Sequence, residues 1–281
     1  MSKSMSYSVH PIAAALAKAL EIIQSKTWTA KNENQRNLLA TVENISTTDF
    51  QTLAMQTIAS YSAEEINDFL AQNGFDIKLS KLSGNEFGVA SIMKILMTWM
   101  ESSSRSIHGG DGTNYQGVKI KENIALFDSP FSLGYIGRIT SKEGFDIYLT
   151  RITEKPENEE KLFTIAQQLM NNKNSMVAAS LSSISFPEVN MDCKPDISWL
   201  IGMHAGQNII SQALMQTKFT LDKTGAKAEA AAAIGVRKCI VMSDTDLVMD
   251  QPFMAWIEKP GITVPVFVAW CDYDSWNQVT R

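Results

Sequence analysis

The residue types that most often carry chemistry are scattered through this chain of 281 residues. Its histidines are His10, His108 and His204, and its cysteines are Cys193, Cys239 and Cys271. The histidines have no serine or cysteine nucleophile motif nearby, and no Gly-x-Ser-x-Gly elbow is present. The cysteines are odd in number and widely spaced, which argues against a complete disulfide framework and against a zinc site. We therefore expect a protein that is not an enzyme and that carries no metal and no cofactor.

Composition and charge restrict the partners of the chain. It has 25 basic and 30 acidic residues, a formal net charge of −5, so it offers no basic excess to nucleic acid. The apolar run over residues 12–23 is interrupted by Lys18 and Glu21, and it is too short to span a membrane or to form a secretory signal. We expect no nucleic-acid partner, no membrane association and a cytoplasmic location by default, with non-classical secretion as the alternative.

The unusual stretch of the chain is residues 223–250, KTGAKAEAAAAIGVRKCIVMSDTDLVMD. Its alanines have strong helix propensity, so an exposed helix is one interpretation. Counted by twos, however, one face carries only small or apolar residues, and the opposite face carries every charge of the alanine-rich run. The small or apolar face consists of Ala226, Ala228, Ala230, Ala232, Ile234 and Val236. A segment that suits a loop or helix in one state and a half-buried strand in another is a candidate conformational switch.

Helices are predicted mainly in the first part of the chain. Residues 12–23 keep apolar residues at helical spacing and predict a buried core helix. Its buried stripe is expected to contain Ala13, Leu16, Ala17, Leu20 and Ile23. Further helices are predicted over residues 32–42, over residues 157–170, and after Ser62, where Glu65 completes a capping box. Residues 50–60 suit either a strand or a helix.

Strands dominate the later part of the chain. The nearly all-apolar residues 87–99 predict one strand that is covered on both faces, with a buried helix as the alternative that periodicity leaves open. The Ser- and Gly-rich residues 102–113 predict an exposed loop. Short strands follow from Val118 onward, and the chain ends in a hairpin that turns at Lys259-Pro260-Gly261. Because helices mostly precede strands, and no linker or repeat is evident, we expect one α+β domain over residues 1–281.

The sequence FTLDKTGAKAEAAAAIGV resembles the junction between a central strand and the reactive loop of the serpin family, with Gly225 at the position of the hinge glycine. Other motifs follow in the family's order and cover most of the chain from Tyr7 onward. They are Tyr7-Ser8 with Ile12-Ala13 at the start of a helix, VASIMKILMTW ending at Trp99, Phe186-Pro187, Asp250-Gln251-Pro252-Phe253, and FVAW.

The resemblance implies a serpin-like α+β fold, in which N-terminal helices surround a central mixed or antiparallel sheet, with further sheets and an exposed reactive loop at about residues 225–250. It also implies a monomeric suicide inhibitor. A target protease of the serine class, or alternatively the cysteine class, attacks the loop and forms an acyl-enzyme. The cleaved loop then inserts into the central sheet as an extra strand.

The resemblance also assigns roles to individual residues. The hinge would be Gly225, Ala226, Ala228, Ala230 and Ala232. Counting from Gly225 places the reactive bond at Cys239-Ile240, whereas counting back from Pro252-Phe253 places it at Val241-Met242. Arg237 and Lys238 lie just outside this window and would suit a trypsin-like protease, whereas Asp244 and Asp246 lie too far downstream for either count. Cys239 also has the interpretation of a chance free thiol.

Some positions depart from the family's pattern. The chain is shorter than serpins usually are, mainly before Phe87. Trp99 matches the residue where the loop begins to insert, and Ser8 matches the first serine of the region that controls opening of the sheet. In that region, Pro11, Ser91 and Met215 replace a second serine, an asparagine and a histidine of the family. These departures motivate an alternative function, a non-inhibitory binding protein on the same fold.

Overall fold

The computed structural model describes residues 4–83, 86–173, 181–226 and 245–279. Within these ranges the α-helices are α1 (His10–Ile23), α2 (Glu33–Val42), α3 (Thr47–Thr52), α4 (Ala63–Gln72) and α5 (Glu159–Asn172). The first strands are β1 (Met5–Tyr7), β2 (Gln56–Ser60), β3 (Gly88–Ile92), β4 (Met97–Thr98), β5 (Ser102–His108), β6 (Asn114–Ile120), β7 (Ile124–Phe127), β8 (Ile136–Thr140) and β9 (Asp146–Thr150). The later strands are β10 (Leu181–Pro187), β11 (Val189–Cys193), β12 (His204–Ala205), β13 (Asn208–Ile209), β14 (Thr217–Leu221), β15 (Gly225–Ala226), β16 (Thr245–Val248), β17 (Phe253–Glu258) and β18 (Phe267–Cys271).

A six-stranded antiparallel sheet, in the order β1-β18-β17-β9-β8-β7, forms the centre of the hydrophobic core. Every residue of β18 is buried, and so is every residue of β17 before Glu258, because other elements cover both faces of these strands. β17 and β18 form the predicted C-terminal hairpin. Its turn is closed by a hydrogen bond from the Ile262 amide to the Lys259 carbonyl, at 3.0 Å.

A four-stranded sheet, in the order β16-β10-β6-β5, corrects the prediction of an exposed loop over residues 102–113. Residues Ser102–His108 form β5, which pairs along its whole length with β6, and only residues 109–113 make the turn between them. β5 lies at the edge of the sheet, and only Ile107 among its residues is buried. An edge strand of this kind carries little apolar alternation, so its pattern resembles that of a loop.

Two further strand pairs, β2-β3 and β11-β14, are both antiparallel. The prediction of one continuous strand over residues 87–99 is wrong, because β3 ends at Ile92 and only Met97–Thr98 return to a strand as β4. Its two faces are nevertheless both covered, since β3 contacts α1 as well as α4. Residues 93–96, between β3 and β4, belong to no strand.

Helix α1 is a core helix in its first half only. His10, Ile12, Ala13, Ala14 and Leu16 are buried, but Ala17 is exposed, contrary to the prediction. Alanine is small and occurs both in the buried and in the exposed part of this helix, so periodicity alone could not decide whether Ala17 is buried.

The ambiguous residues 50–60 contain both predicted structures, the end of α3 and the whole of β2. One half of the predicted capping box at α4 is present, since the Ser62 side chain accepts from the Glu65 amide at 3.4 Å. The other half is replaced by Ser60, whose hydroxyl accepts from the Ser62 amide and donates to the Glu65 carboxylate. No helix in the described ranges is long and apolar enough to cross a membrane.

Candidate functional site

A tight turn after β14 reverses the chain and begins the segment singled out in the sequence. The Asp222 carboxylate accepts from the Thr224 amide at 2.7 Å and from the Thr224 hydroxyl at 2.6 Å. The Gly225 amide donates to the Asp222 carbonyl at 3.3 Å. An aspartate that binds the backbone two residues ahead is a strong turn former. Gly225 has a φ of +100°, in the region that favours glycine.

The two residues after this turn form β15, which pairs antiparallel with β4. Gly225 lies opposite Thr98, and Ala226 lies opposite Met97. Gly225 also bridges to Asp222 at the end of β14. The first two residues of the predicted hinge, Gly225 and Ala226, therefore form a short strand between the end of β14 and β4.

Trp99 contacts this junction directly. Its side chain is buried, and its indole nitrogen donates to the Asp222 carbonyl at 2.8 Å. Its ring packs edge-on against Phe186, with centroids 6.1 Å apart. One side chain thus holds the turn, the end of β14 and the start of the returning strand together.

Below this junction, β3 and β14 are not paired with each other in the described part of the chain. Between them lies a cavity of about 750 Å³, which we call the slot. Its upper end is the junction at Gly225, and its lower end lies beside Gly88. The slot is lined by Ile12 and Leu16 of α1, by Val89 and Ser91 of β3, and by Met215 and Phe219 on the opposite side.

Ser8, Ser91 and Met215, the predicted control residues, all line the slot but do not form one hydrogen-bonded cluster. The buried Ser8 hydroxyl donates to the Val266 carbonyl at 2.7 Å. The Ser91 hydroxyl accepts from that of Thr57 on β2, at 3.0 Å. Each serine is thus bonded within its own side of the slot, and the Met215 thioether packs in the core.

His10, which was not a predicted site residue, lies fully buried beside this region at the start of α1. Neither ring nitrogen makes a hydrogen bond of ordinary geometry within the described residues. Burial lowers the pKa of His10 from 6.5 to about 4, although the Asp49 carboxylate and the Val266 carbonyl oppose the shift. The imidazole is therefore neutral at physiological pH.

The segment that returns from the loop is anchored as a strand. β16 pairs in parallel with β10. The Asp246 carboxylate binds the Ser183 hydroxyl, the Lys119 ammonium at 3.1 Å and the Arg105 guanidinium at 3.6 Å. The hydrogen bond from Ser183, with smaller contributions from Lys119 and Arg105, lowers the pKa of Asp246. Asp246 therefore links β16 to β10 through Ser183 and to β6 through Lys119.

The remaining predicted site residues lie outside the described residues. These are the hinge alanines Ala228, Ala230 and Ala232 and the reactive-bond candidates Arg237, Lys238, Cys239, Ile240, Val241 and Met242. Their roles stay predictions.

A group of amide side chains along the lower slot was missed by the sequence reasoning. Gln212, Gln216 and Asn67 bind the backbone of residues 75–82, which run along this part of the slot. The signal was present in the sequence, because residues 75–80, FDIKLS, alternate apolar and polar residues as a half-buried extended segment does.

The chain was compared with known proteins. Its sequence matches no protein-family model and no curated protein. Solved structures are nevertheless similar over almost the whole chain. Serpin48, described as a highly specific serpin of the insect Tenebrio molitor, has a TM-score of 0.58 at 10% identity, covering 96% of this chain and 92% of its own.

Two further crystal structures are similar in the same way. The native state of tengpin, a thermophilic serpin, has a TM-score of 0.55 at 12% identity, covering 95% of this chain and 88% of its own. Maspin has a TM-score of 0.57 at 13% identity, covering 95% of this chain and 91% of its own. These likenesses confirm the predicted mixed α+β architecture, and the chain has the serpin fold.

Proposed function

We propose that the chain is a protease inhibitor that acts as a suicide substrate. The observation that carries this proposal is the position of β15, because Gly225–Ala226 already lie between β14 and β4 at the upper end of the slot. The segment that follows Ala226 needs only to continue in the same direction to become a full strand. The slot offers it two strand edges that are unpaired with each other within the described residues.

The register supports this role for the alanines. If the antiparallel register of β15 continued along both neighbouring segments, residue 228 would lie between Ile95 and Phe219. Residue 230 would then lie between Met93 and Thr217. Phe219 and Thr217 are buried, so this face of the new strand would turn toward the core and α1. Side chains that enter a packed interior between existing groups must be small. Alanine at residues 228, 230 and 232 meets that requirement.

The chemistry belongs to the target protease. Its serine or cysteine attacks the carbonyl carbon of the reactive bond, the C–N bond breaks, and the nucleophile's proton passes through the protease histidine to the leaving amine. The product is an acyl-enzyme attached to the new carboxyl end of the loop. Insertion of the loop carries the protease away before water can hydrolyse that ester or thioester.

The test is a panel of serine and cysteine proteases, with covalent complexes detected by denaturing gel electrophoresis. Ala230→Arg places a long charged side chain on the inward face, so this variant should be cleaved without forming a complex. Lys227→Arg is the matched control on the outward face and should form complexes as the wild type does. Mass spectrometry of the cleaved loop decides between Cys239-Ile240 and Val241-Met242. Clean cleavage by every protease, with no complex from the wild type, contradicts the proposal.

A second candidate is a non-inhibitory binding protein with the same fold. The observation that favours it is the separation of Ser8 and Ser91, which form hydrogen bonds on different sides of the slot and not with each other. Unfolding before and after loop cleavage separates the two functions. Insertion should raise the melting temperature sharply, whereas a passive loop should leave it unchanged.

A further inference from the structure

Residues 75–82 form an extended segment along the lower half of the slot, which we call the cover segment. Phe75, Ile77 and Leu79 are half-buried and line the slot, whereas the alternate residues Asp76 and Ser80 are exposed. This alternation is that of a strand with one buried face, although the segment belongs to no sheet.

Amide side chains hold the cover segment from both sides. Asn67 of α4 accepts from the Leu79 amide at 2.8 Å and donates to the Leu79 carbonyl at 3.0 Å. On the opposite side, Gln216 accepts from the Asp76 amide, and Gln212 accepts from the Ser80 amide, both at 2.8 Å. The cover segment therefore connects α4, which packs on β2 and β3, with the β14 side of the slot.

An ion pair adds to this connection. The Lys194 ammonium lies 2.9 Å from the Asp76 carboxylate. Both side chains are exposed, so the pair contributes little to stability by itself. The ion pair instead shows where the cover segment lies, because it joins this segment to the same side of the slot as the Gln212 and Gln216 hydrogen bonds do.

The position of Gly88 shows which face of β3 the cover segment occupies. A Cβ at Gly88 would lie 2.9 Å from Leu79 Cδ1 and 3.3 Å from Ile66 Cγ1 of α4. Gly88, Ala90 and Ile92 are the buried alternate residues of β3, and the latter two pack with α4. The cover segment and α4 thus lie over one face of β3 and α1 over the other, and residues of both faces line the slot.

The register that supports the proposed function also identifies the residues of an inserted strand that would face the cover segment. It places residue 231 between Ile92 and Gln216, residue 233 between Ala90 and Leu214, and residue 235 between Gly88 and Gln212. The outward residues at these positions are Ala231, Ala233 and Gly235. Higher in the slot, away from the cover segment, the outward residues are instead Lys227 and Glu229.

We propose that the cover segment stays in place when the cleaved loop inserts, and that it admits only small outward side chains at residues 231, 233 and 235. The inference rests on the proposed function, since it concerns the same insertion. A Cβ at Gly88 would already lie 2.9 Å from Leu79 Cδ1, so the cover segment leaves little space over this end of β3. Along the outward face, long charged residues end at Glu229 and small residues begin at Ala231. Residue 231 is also the first that the register places beside Gln216, which binds the start of the cover segment.

The experiment compares Ala233→Gln with Glu229→Gln, which introduces the same side chain at an outward position above the cover segment. Each purified protein is cleaved in the loop, and its melting temperature is measured before and after cleavage. We expect the wild type and Glu229→Gln to gain the same increment, and Ala233→Gln to gain less than half of it. Adding Gln212→Ala and Gln216→Ala should restore the gain to Ala233→Gln, because these changes loosen the cover segment.

Hydrogen exchange at the Asp76, Leu79 and Ser80 amides gives an independent measurement on the wild type. Their protection should persist after cleavage if the cover segment stays in place. Loss of that protection, or a full gain in Ala233→Gln, overturns this inference while leaving the proposed function intact. A wild type that gains no stability on cleavage overturns both, so the two failures are distinguishable.

Discussion

Gly225 lies so close to Met97 that a Cβ at residue 225 would overlap the Met97 carbonyl oxygen. No real Cβ tolerates such a contact, and the φ of +100° also disfavours any side chain. Two independent constraints therefore require glycine at the point where the chain turns back toward the slot.

Gly225→Ala should destabilise the native protein by about 1–3 kcal/mol, because the new methyl group must push β15 away from β4. Gly74→Ala is the matched control, since Gly74 also has a positive φ, of +85°, but a Cβ at residue 74 would meet no atom within 4 Å. Urea unfolding measures both variants. Equal losses would mean that backbone conformation alone, and not the contact with Met97, requires the glycine.

Trp99→Phe should lower stability by about 1 kcal/mol, because it removes the indole donor to the Asp222 carbonyl while keeping most of the packing. The same variant should increase hydrogen exchange at the Gly225 amide, since the turn loses its tie to β4. Trp28→Phe is the control, because it removes an indole bond to the Leu16 carbonyl, far from the turn. Increased exchange at Gly225 in both variants would contradict a local role for Trp99.

Stability should fall as the pH decreases from about 6.5 to about 4, because His10 is buried as the neutral form. Its folded-state pKa of about 4 lies below the ordinary histidine value of 6.5, so the unfolded chain binds the proton first. The full effect is about 3 kcal/mol, and about 2 kcal/mol of it should be lost between pH 7 and pH 5.

His10→Leu should reduce this pH dependence in urea unfolding, whereas His108→Gln, a change at an exposed histidine, should preserve it. An unchanged slope in His10→Leu would assign the effect to other groups.

Asp246→Asn should loosen the strand that follows the loop, because the carboxylate binds Ser183, Lys119 and Arg105 at once. The site is partly exposed, so we expect a loss of about 1 kcal/mol or less. Because the folded-state pKa of Asp246 is lowered, its contribution is present near neutral pH and is lost as the pH falls through that pKa. Asp128→Asn is the control at an exposed aspartate, and thermal unfolding at pH 7 and in acid should leave it close to the wild type.

Much of the fold could be predicted from local patterns. The C-terminal hairpin and the helices with side-chain caps follow from residue types at short spacings. Asn32, for example, caps α2 at the predicted start, and Asn158 caps α5 one residue after the predicted start. Caps and hairpin turns can be predicted from one sequence because the interactions that form them involve only a few neighbouring residues.

The failures share a different cause. Residues 102–108 form a strand because they pair with β6. Residues 93–96 form no strand and connect β3 to β4, which pairs with β15. The sequence of neither segment indicates its pairing partner, β6 in one case and β15 in the other. The same holds for His10, whose burial depends on elements distant in sequence.

The sequence by itself determined the turn glycine, the small face of the alanine run and the order of the family-like motifs. Only the tertiary structure decided that β15 lies between β14 and β4, that a slot continues below it, and that residues 75–82 run along that slot. The physical reason is the range of the forces involved. Propensity and periodicity act along the chain, whereas a slot is a space between segments that only packing brings together.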